Sequence, residues 1–178
     1  MNVAQKNKLK EYIGQDALVS IYTDISEPDY FDLGFVLALD DDYVLLNTVS
    51  QFGEETGFLL NNLDNIFLVC YDLPYAEKMQ KLFQLKKQNR RDIPKATDDL
   101  LMRILTYAKE NHCLIQVNND DDAIGYVSDY QNQMLELQLV GYYGEDRGSA
   151  YIDFDTINIV DIDTIFLTDL MLLRDEKH

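Results

Sequence analysis

The feature that most constrains the fold of this chain is an internal repeat. A stretch beginning Gly34-Phe35-Val36 passes through Gly53-Glu54-Glu55-Thr56-Gly57 and reaches Leu63-Asp64-Asn65-Ile66. At an offset of 91 residues the pattern returns as Gly125-Tyr126-Val127, then Gly144-Glu145-Asp146-Arg147-Gly148, then Phe154-Asp155-Thr156-Ile157. The match runs without a gap to Leu82 and Leu173. About a dozen identities fall in roughly fifty aligned positions, and most other pairs keep polarity. Such a chain is expected to fold as two similar small units, or as one pseudo-symmetric unit.

Each repeat reads as a helix followed by five short strands. Residues 3–13 carry Leu9, Tyr12 and Ile13 at helical spacing, and Gly14 supplies the stop. Strands are expected over 17–22, 33–39, 43–49, 58–60 and 66–71. Asp40-Asp41-Asp42 fits a turn, because three adjacent acids repel one another in a strand and are solvated in a turn. Residues 53–57 read as a hairpin tip whose glycines can supply positive φ. Asn61-Asn62 reads as a break. Residues 75–85 can form a helical turn or two, with Met79, Leu82 and Phe83 on one face. A basic linker is expected over 85–96, its basic stretch Lys86–Arg91 being ended by Pro94. Thr97 is the expected N-cap of a helix running to Ala108, with Asp98 and Asp99 in its first turn. The second set of strands is expected over 114–117, 124–130, 134–142, 150–154 and 157–162.

The expected fold class is mainly β with short helices, an α+β arrangement. Residues 1–84 and 97–178 are each a helix plus a five-stranded barrel, joined by the basic linker. Closure into barrels is expected because a lone five-stranded sheet leaves two exposed edges. Pseudo-two-fold packing of the repeats would add buried area to each, and homo-oligomers are compatible with it.

Helix-then-five-strands resembles the Sm-like small barrel, over most of the chain. The first Sm motif places a glycine, then an apolar residue two on, an aspartate six on and an apolar residue nine on. Gly34, Val36, Asp40 and Tyr43 fill these positions, as do Gly125, Val127, Gln131 and Met134 in the second repeat. The next family position is an asparagine that contacts RNA, and here it is Val44 and Leu135. The Arg-Gly of the second Sm motif is replaced by the Leu63 and Phe154 segments. The resemblance thus implies the fold, and it leaves the family's RNA contacts without their residues. The pattern is also similar to that of uncharacterised bacterial barrel proteins.

Charge narrows the function. The chain has 178 residues with a net charge of −17 and 47% hydrophobic content, enough apolar residues for a core. Lys6, Lys8 and Lys10 open the chain, and most other bases, including Lys86, Lys87, Arg90 and Arg91, fall between the acidic repeats. Cys70 and Cys113 sit in apolar stretches, which suits buried thiols in a reducing compartment. The first residues show no signal-peptide pattern, and no apolar run approaches the roughly 20 residues that span a bilayer. A cytoplasmic location without membrane contact is expected.

No reaction is specified. His112 adjoins Cys113, but neighbours in a strand point to opposite faces, so a nucleophilic pair is not expected. Asn118, Asp120, Asp122 and Asp129 match positions 1, 3, 5 and 12 of a calcium loop, yet Ala123 stands where glycine is needed. Asp153/Asp155 and Asp161/Asp163 could do acid–base work only if an apolar wall raised one pKa. The expectation is no enzyme, no cofactor and no metal. Three functional classes remain: an acidic module binding a basic protein, for which an immunity or antitoxin role is one concrete form; an Sm-type RNA-binding protein using the basic linker; and a carboxylate- or metal-dependent enzyme. The first leads. Its candidate partner-binding residues are Phe52, Glu54, Glu55, Tyr142, Tyr143 and Glu145, at the two hairpin tips. Acidic loops at 40–42 and 120–122 would assist, and nucleic acid would be repelled.

Overall fold

The computed structural model describes residues 1–27, 29–93 and 97–176. Pro94, expected to end the basic linker, lies outside the described residues. The chain is mainly β with four helices and separates into two compact units, Met1–Asp92 and Ile93–His178.

The first unit opens with α1 (Val3–Glu11). Asn2 accepts from the backbone N–H of Gln5, and the Gln5 side chain accepts from that of Asn2, so the first turn is capped reciprocally. Five strands follow: β1 (Leu18–Tyr22), β2 (Asp32–Leu39), β3 (Tyr43–Val49), β4 (Glu55–Asn62) and β5 (Leu68–Cys70). They pair antiparallel in the order β5-β1-β2-β3-β4. α2 (Pro74–Leu85) starts with proline at its first turn, where no backbone donor is needed. Its Ala76, Met79 and Phe83 pack on Leu18, Leu33, Phe35 and Val49, one face of the sheet. The opposite face carries Val19, Ile21, Val36, Val44 and Leu46, all fully buried.

That second face is buried because the sheet curls on itself. Val44 of β3 lies opposite both Leu39 of β2 and Asn61 of β4, so Asp32 is seven residues along β2 from the level of Asn61. In a flat sheet the two would stand about 25 Å apart. Instead Asn61 Nδ2 donates to Asp32 Oδ2 at 3.3 Å. Bulges between Val36 and Ala38, and between Asn47 and Val49, supply the bend.

The second unit opens with α3 (Leu100–Glu110), whose buried face is Leu100, Leu101, Ile104, Leu105 and Ala108. Its strands are β6 (Leu114–Val117), β7 (Ile124–Gln131), β8 (Met134–Val140), β9 (Asp146–Asp153) and β10 (Ile159–Ile162), in the order β10-β6-β7-β8-β9. Bulges fall between Val127 and Asp129, and between Gln138 and Val140. α4 (Ile165–Asp175), capped by Thr164, lays Leu167 and Leu170 on Leu114, Ile124 and Val140.

The strand order is open in each unit: among the described residues no ladder joins β4 to β5 or β9 to β10. The closed barrel expected from the sequence is thus seen as a curled sheet, whose short β5 offers three residues for pairing. Local differences have clear causes. β4 runs unbroken through Asn61 and Asn62, because Asn61 turns into the interior and Asn62 accepts from Asp64 N at the start of a 3-10 turn, Leu63–Asn65. The hairpin tip falls earlier than residues 53–57, since Ser50 N bonds Glu54 O at 2.9 Å and the strand resumes at Glu55. Asp99, not Thr97, caps α3 by accepting from Met102 N at 3.0 Å. α2 is twelve residues long, well beyond a turn or two.

Gly53 ties the first tip to α2. Its φ is +70°, and an added Cβ would lie 2.5 Å from Leu82 Cβ. Gly14 has φ +75° with nothing within 4 Å. Gly14→Ala should therefore cost only the left-handed backbone, about 1–2 kcal/mol. Gly53→Ala should add overpacking of about 1–3 kcal/mol. Urea denaturation should rank wild type above Gly14→Ala and Gly14→Ala above Gly53→Ala; equal losses would show that the tip does not lean on α2.

Candidate interaction site

The candidate residues of the first tip divide into one exposed ring and two engaged acids. Phe52 is 60% exposed. Glu54 pairs with Lys86 at 2.6 Å. Glu55 points inward: its Oε1 accepts from Asn47 Nδ2 and from Gly57 N, both at 2.8 Å, and its Oε2 meets Arg91 at 2.7 Å. Asn47 is fully buried and is the pivot. Its Nδ2 also donates to Gly57 O at 2.8 Å, and its Oδ1 accepts from Arg91 N at 3.0 Å. Arg90 donates to Gln15 O at 2.8 Å and sits 5.1 Å from the Phe35 ring centre. The segment expected to be a linker is fastened to the first unit through residue 91.

The second tip is different. Tyr142 and Tyr143 are 62% and 70% exposed, and their rings meet edge to face with centroids 5.6 Å apart. Tyr142 also lies 6.0 Å from Phe166 of α4. The Glu145 carboxylate accepts from Tyr143 N at 3.0 Å, which fixes the turn beneath the two rings. Gly144, with φ +78°, seats the tip on the α4 backbone at Leu173 and Arg174. Arg174 holds Asp146 at 2.6 Å. This tip therefore presents an exposed aromatic pair beside α4.

The other sequence candidates serve local structure. Asn118 Oδ1 accepts from Asn158 N at 2.7 Å and Ile159 N at 3.2 Å, Asp122 pairs with Arg147 at 2.7 Å, and Asp129 pairs with Lys109 at 3.3 Å. Backbone and Lys109 hydrogen bonds hold the Asp129 carboxyl below its usual range. Asp153 caps the 3-10 turn Phe154–Thr156, accepting from Asp155 N at 3.0 Å. Among the described residues no three His, Cys, Asp or Glu side chains are grouped to hold a metal ion. His112 is exposed with φ +51°, while Cys113 is buried. Asp41 of the 40–42 loop binds Lys6 at 2.9 Å.

Two polar positions escaped sequence reasoning. One is Asn47. The other is the pair of Asp32 and Asn61 on the inner face of the first unit. Asn61 is fully buried, and its Oδ1 has no hydrogen-bond partner among the described residues. Burial pushes the Asp32 carboxyl above its ordinary value of 3.8, and the Asn61 amide only partly offsets this. The signal was available: at the offset of the repeat, Ala123 and Ile152 stand where the first unit has Asp32 and Asn61.

Comparison of the chain with protein-family models, with curated proteins and with solved structures finds no match. Among the described residues no helix is long and apolar enough to cross a membrane.

Asp32 makes stability pH-dependent in a definite direction. Its native pKa lies above the unfolded value, so the native state holds more protons between the two. Stability from this group is complete below the unfolded pKa and falls as pH rises through the native one. Asp32→Asn should gain on wild type as pH climbs from about 4 toward neutrality. A flat difference in melting temperature across that range would refute it.

Asn47→Ala should remove the side-chain acceptor of the Arg91 amide and one of the donors to the Glu55 carboxylate, at a cost of about 1–3 kcal/mol. Trypsin should then cut sooner after Lys86, Lys87, Arg90 and Arg91. Unchanged cleavage would mean that Asn47 does not fasten the segment.

Proposed function

We propose that this protein is a non-catalytic, acidic interaction module that binds a basic protein partner in the cytoplasm. The observation that carries the reading is the second unit: an exposed, edge-to-face tyrosine pair on a body whose sequence, residues 93–178, has seventeen Asp and Glu against six Lys and Arg, a net charge of −11. Acidic surfaces steer basic partners and repel phosphate backbones. Aromatic side chains give large contact area with little rotamer entropy to lose. An immunity or antitoxin protein is one concrete form of such a module.

The reading includes the finer fold. Each unit is an Sm-like barrel left open at one seam, and the two arose by internal duplication. Bulges, 3-10 turns and positive-φ glycines at positions 91 apart support this: Gly53 with Gly144, Gly57 with Gly148, Leu63–Asn65 with Phe154–Thr156. The free thiols Cys70 and Cys113 suit a reducing compartment. RNA binding through the basic segment is disfavoured, because Lys86, Arg90 and Arg91 already serve Glu54, Gln15 and Glu55.

The test is kinetic. Once a partner is isolated by affinity capture from the native host, its association rate should fall about tenfold or more between low and high salt, with a much smaller change in dissociation. A salt-independent association rate would end the electrostatic account.

A further inference from the structure

The two units differ in the helix beside the tip. On α2 the outward positions Lys78 and Lys81 are basic and exposed. At the same offset α4 has Asp169 and Leu172, also exposed. Ile165, Asp169 and Leu172 stand four and three residues apart and so share one outward face. Ile165 is 55% and Leu172 62% exposed. The tyrosine tip borders this helix, since Tyr142 reaches Phe166 and Gly144 rests on the backbone at Leu173. Tyr142 and Tyr143 of the tip, and Ile165 and Leu172 of the helix that the tip borders, are thus exposed apolar side chains of the second unit, with Asp169 between Ile165 and Leu172 on the helix.

We propose that this surface is the docking site, and that its occupant is a basic amphipathic segment of a partner protein. The inference rests on the functional reading above and narrows it to one face of one unit. Charge selects the occupant. Asp169 and the −11 of this unit repel an anionic lipid surface and favour Lys or Arg. Leucine-like side chains of the segment fill the space between Ile165 and Leu172. A guanidinium lies over a tyrosine face, where cation–π attraction adds to the charge. On the first unit, Phe52 follows Gln51 where the second unit has a second tyrosine, and Lys78 and Lys81 repel the same segment.

The test uses the full chain and a synthetic amphipathic helix with leucine on one face and arginine on the other, followed by fluorescence anisotropy at about 150 mM salt. Oligolysine of equal charge is the comparison probe. The Leu/Arg peptide should bind the wild type, and Tyr142→Ala/Tyr143→Ala and Leu172→Ser should each weaken it about tenfold, with Asp169→Lys at least as damaging. Phe52→Ala should leave binding unchanged. All these side chains are exposed, and far-UV circular dichroism with thermal melts confirms that each variant is folded. If the wild type and the second-unit variants bind the peptide alike, with the same salt dependence, the docking site is wrong while the acidic-module reading stands. If neither probe binds the wild type at any salt concentration, both fail. Self-association of the chain at working concentration, abolished by Leu172→Ser, would replace the partner segment by a second copy and overturn the proposal.

Discussion

The first unit is governed by one strand that is apolar on both sides. Tyr43, Val44, Leu45 and Leu46 of β3 are consecutive and all buried. Consecutive strand residues point to opposite faces, so neither face of β3 tolerates water. Two covers are needed. Curling the sheet covers one face, with Val19, Ile21 and Val36 closing on Val44 and Leu46. Gly34 makes the tight curl feasible, because a Cβ there would lie 2.8 Å from Asn47 O. Over the other face α2 lies along part of the sheet, and the segment through Arg91 is drawn toward Asn47 and Glu55. Each fully buried leucine or valine contributes roughly 1.5–3 kcal/mol, which makes a cover more stable than an exposed face.

The polar exceptions follow from the same geometry. Asn47 lies on the side away from Val44 and Leu46, where backbone groups of the covering segment need partners, and it meets them. Asp32 and Asn61 lie on the curled side, where little else is polar. A buried amide or carboxyl without full hydrogen bonding destabilises the fold. Asp32 responds by holding its proton more tightly, and Asn61 Oδ1 has no partner among the described residues. One asparagine thus stabilises the unit, and the other marks a site where it is under stress.

The helix-plus-five-strand order was legible because alternation, turn acids and glycines repeat at one spacing. The limits of β4 were not, because Asn61 and Asn62 carry a turn composition while one of them serves the interior and the other a 3-10 cap. α4 was missed for a related reason. Its Ile165, Leu172 and Leu173 are apolar but exposed, so the helical period is blurred. The tyrosine pair was legible from its place before the tip glycine. The inward turn of Glu55 was not, because an acid after that glycine reads as solvent-exposed until Asn47 and Arg91 are seen around it.

Net charge hides a division of labour that burial and pairing expose. The first unit has fifteen acids and nine bases over residues 1–92, and several of its acids are matched internally: Asp41 by Lys6, Glu54 by Lys86, Glu55 by Arg91. Exposed pairs such as Asp41–Lys6 and Glu54–Lys86 add little stability, typically below about 1 kcal/mol, but they reduce the field seen by a distant partner. The second unit has fewer bases to offset its seventeen acids. Long-range attraction for a cation is therefore generated chiefly there. Tyr142, Tyr143, Ile165 and Leu172 are exposed in that same unit. On the proposed reading, the charge that steers a basic partner and the apolar side chains that would hold it belong to the same unit.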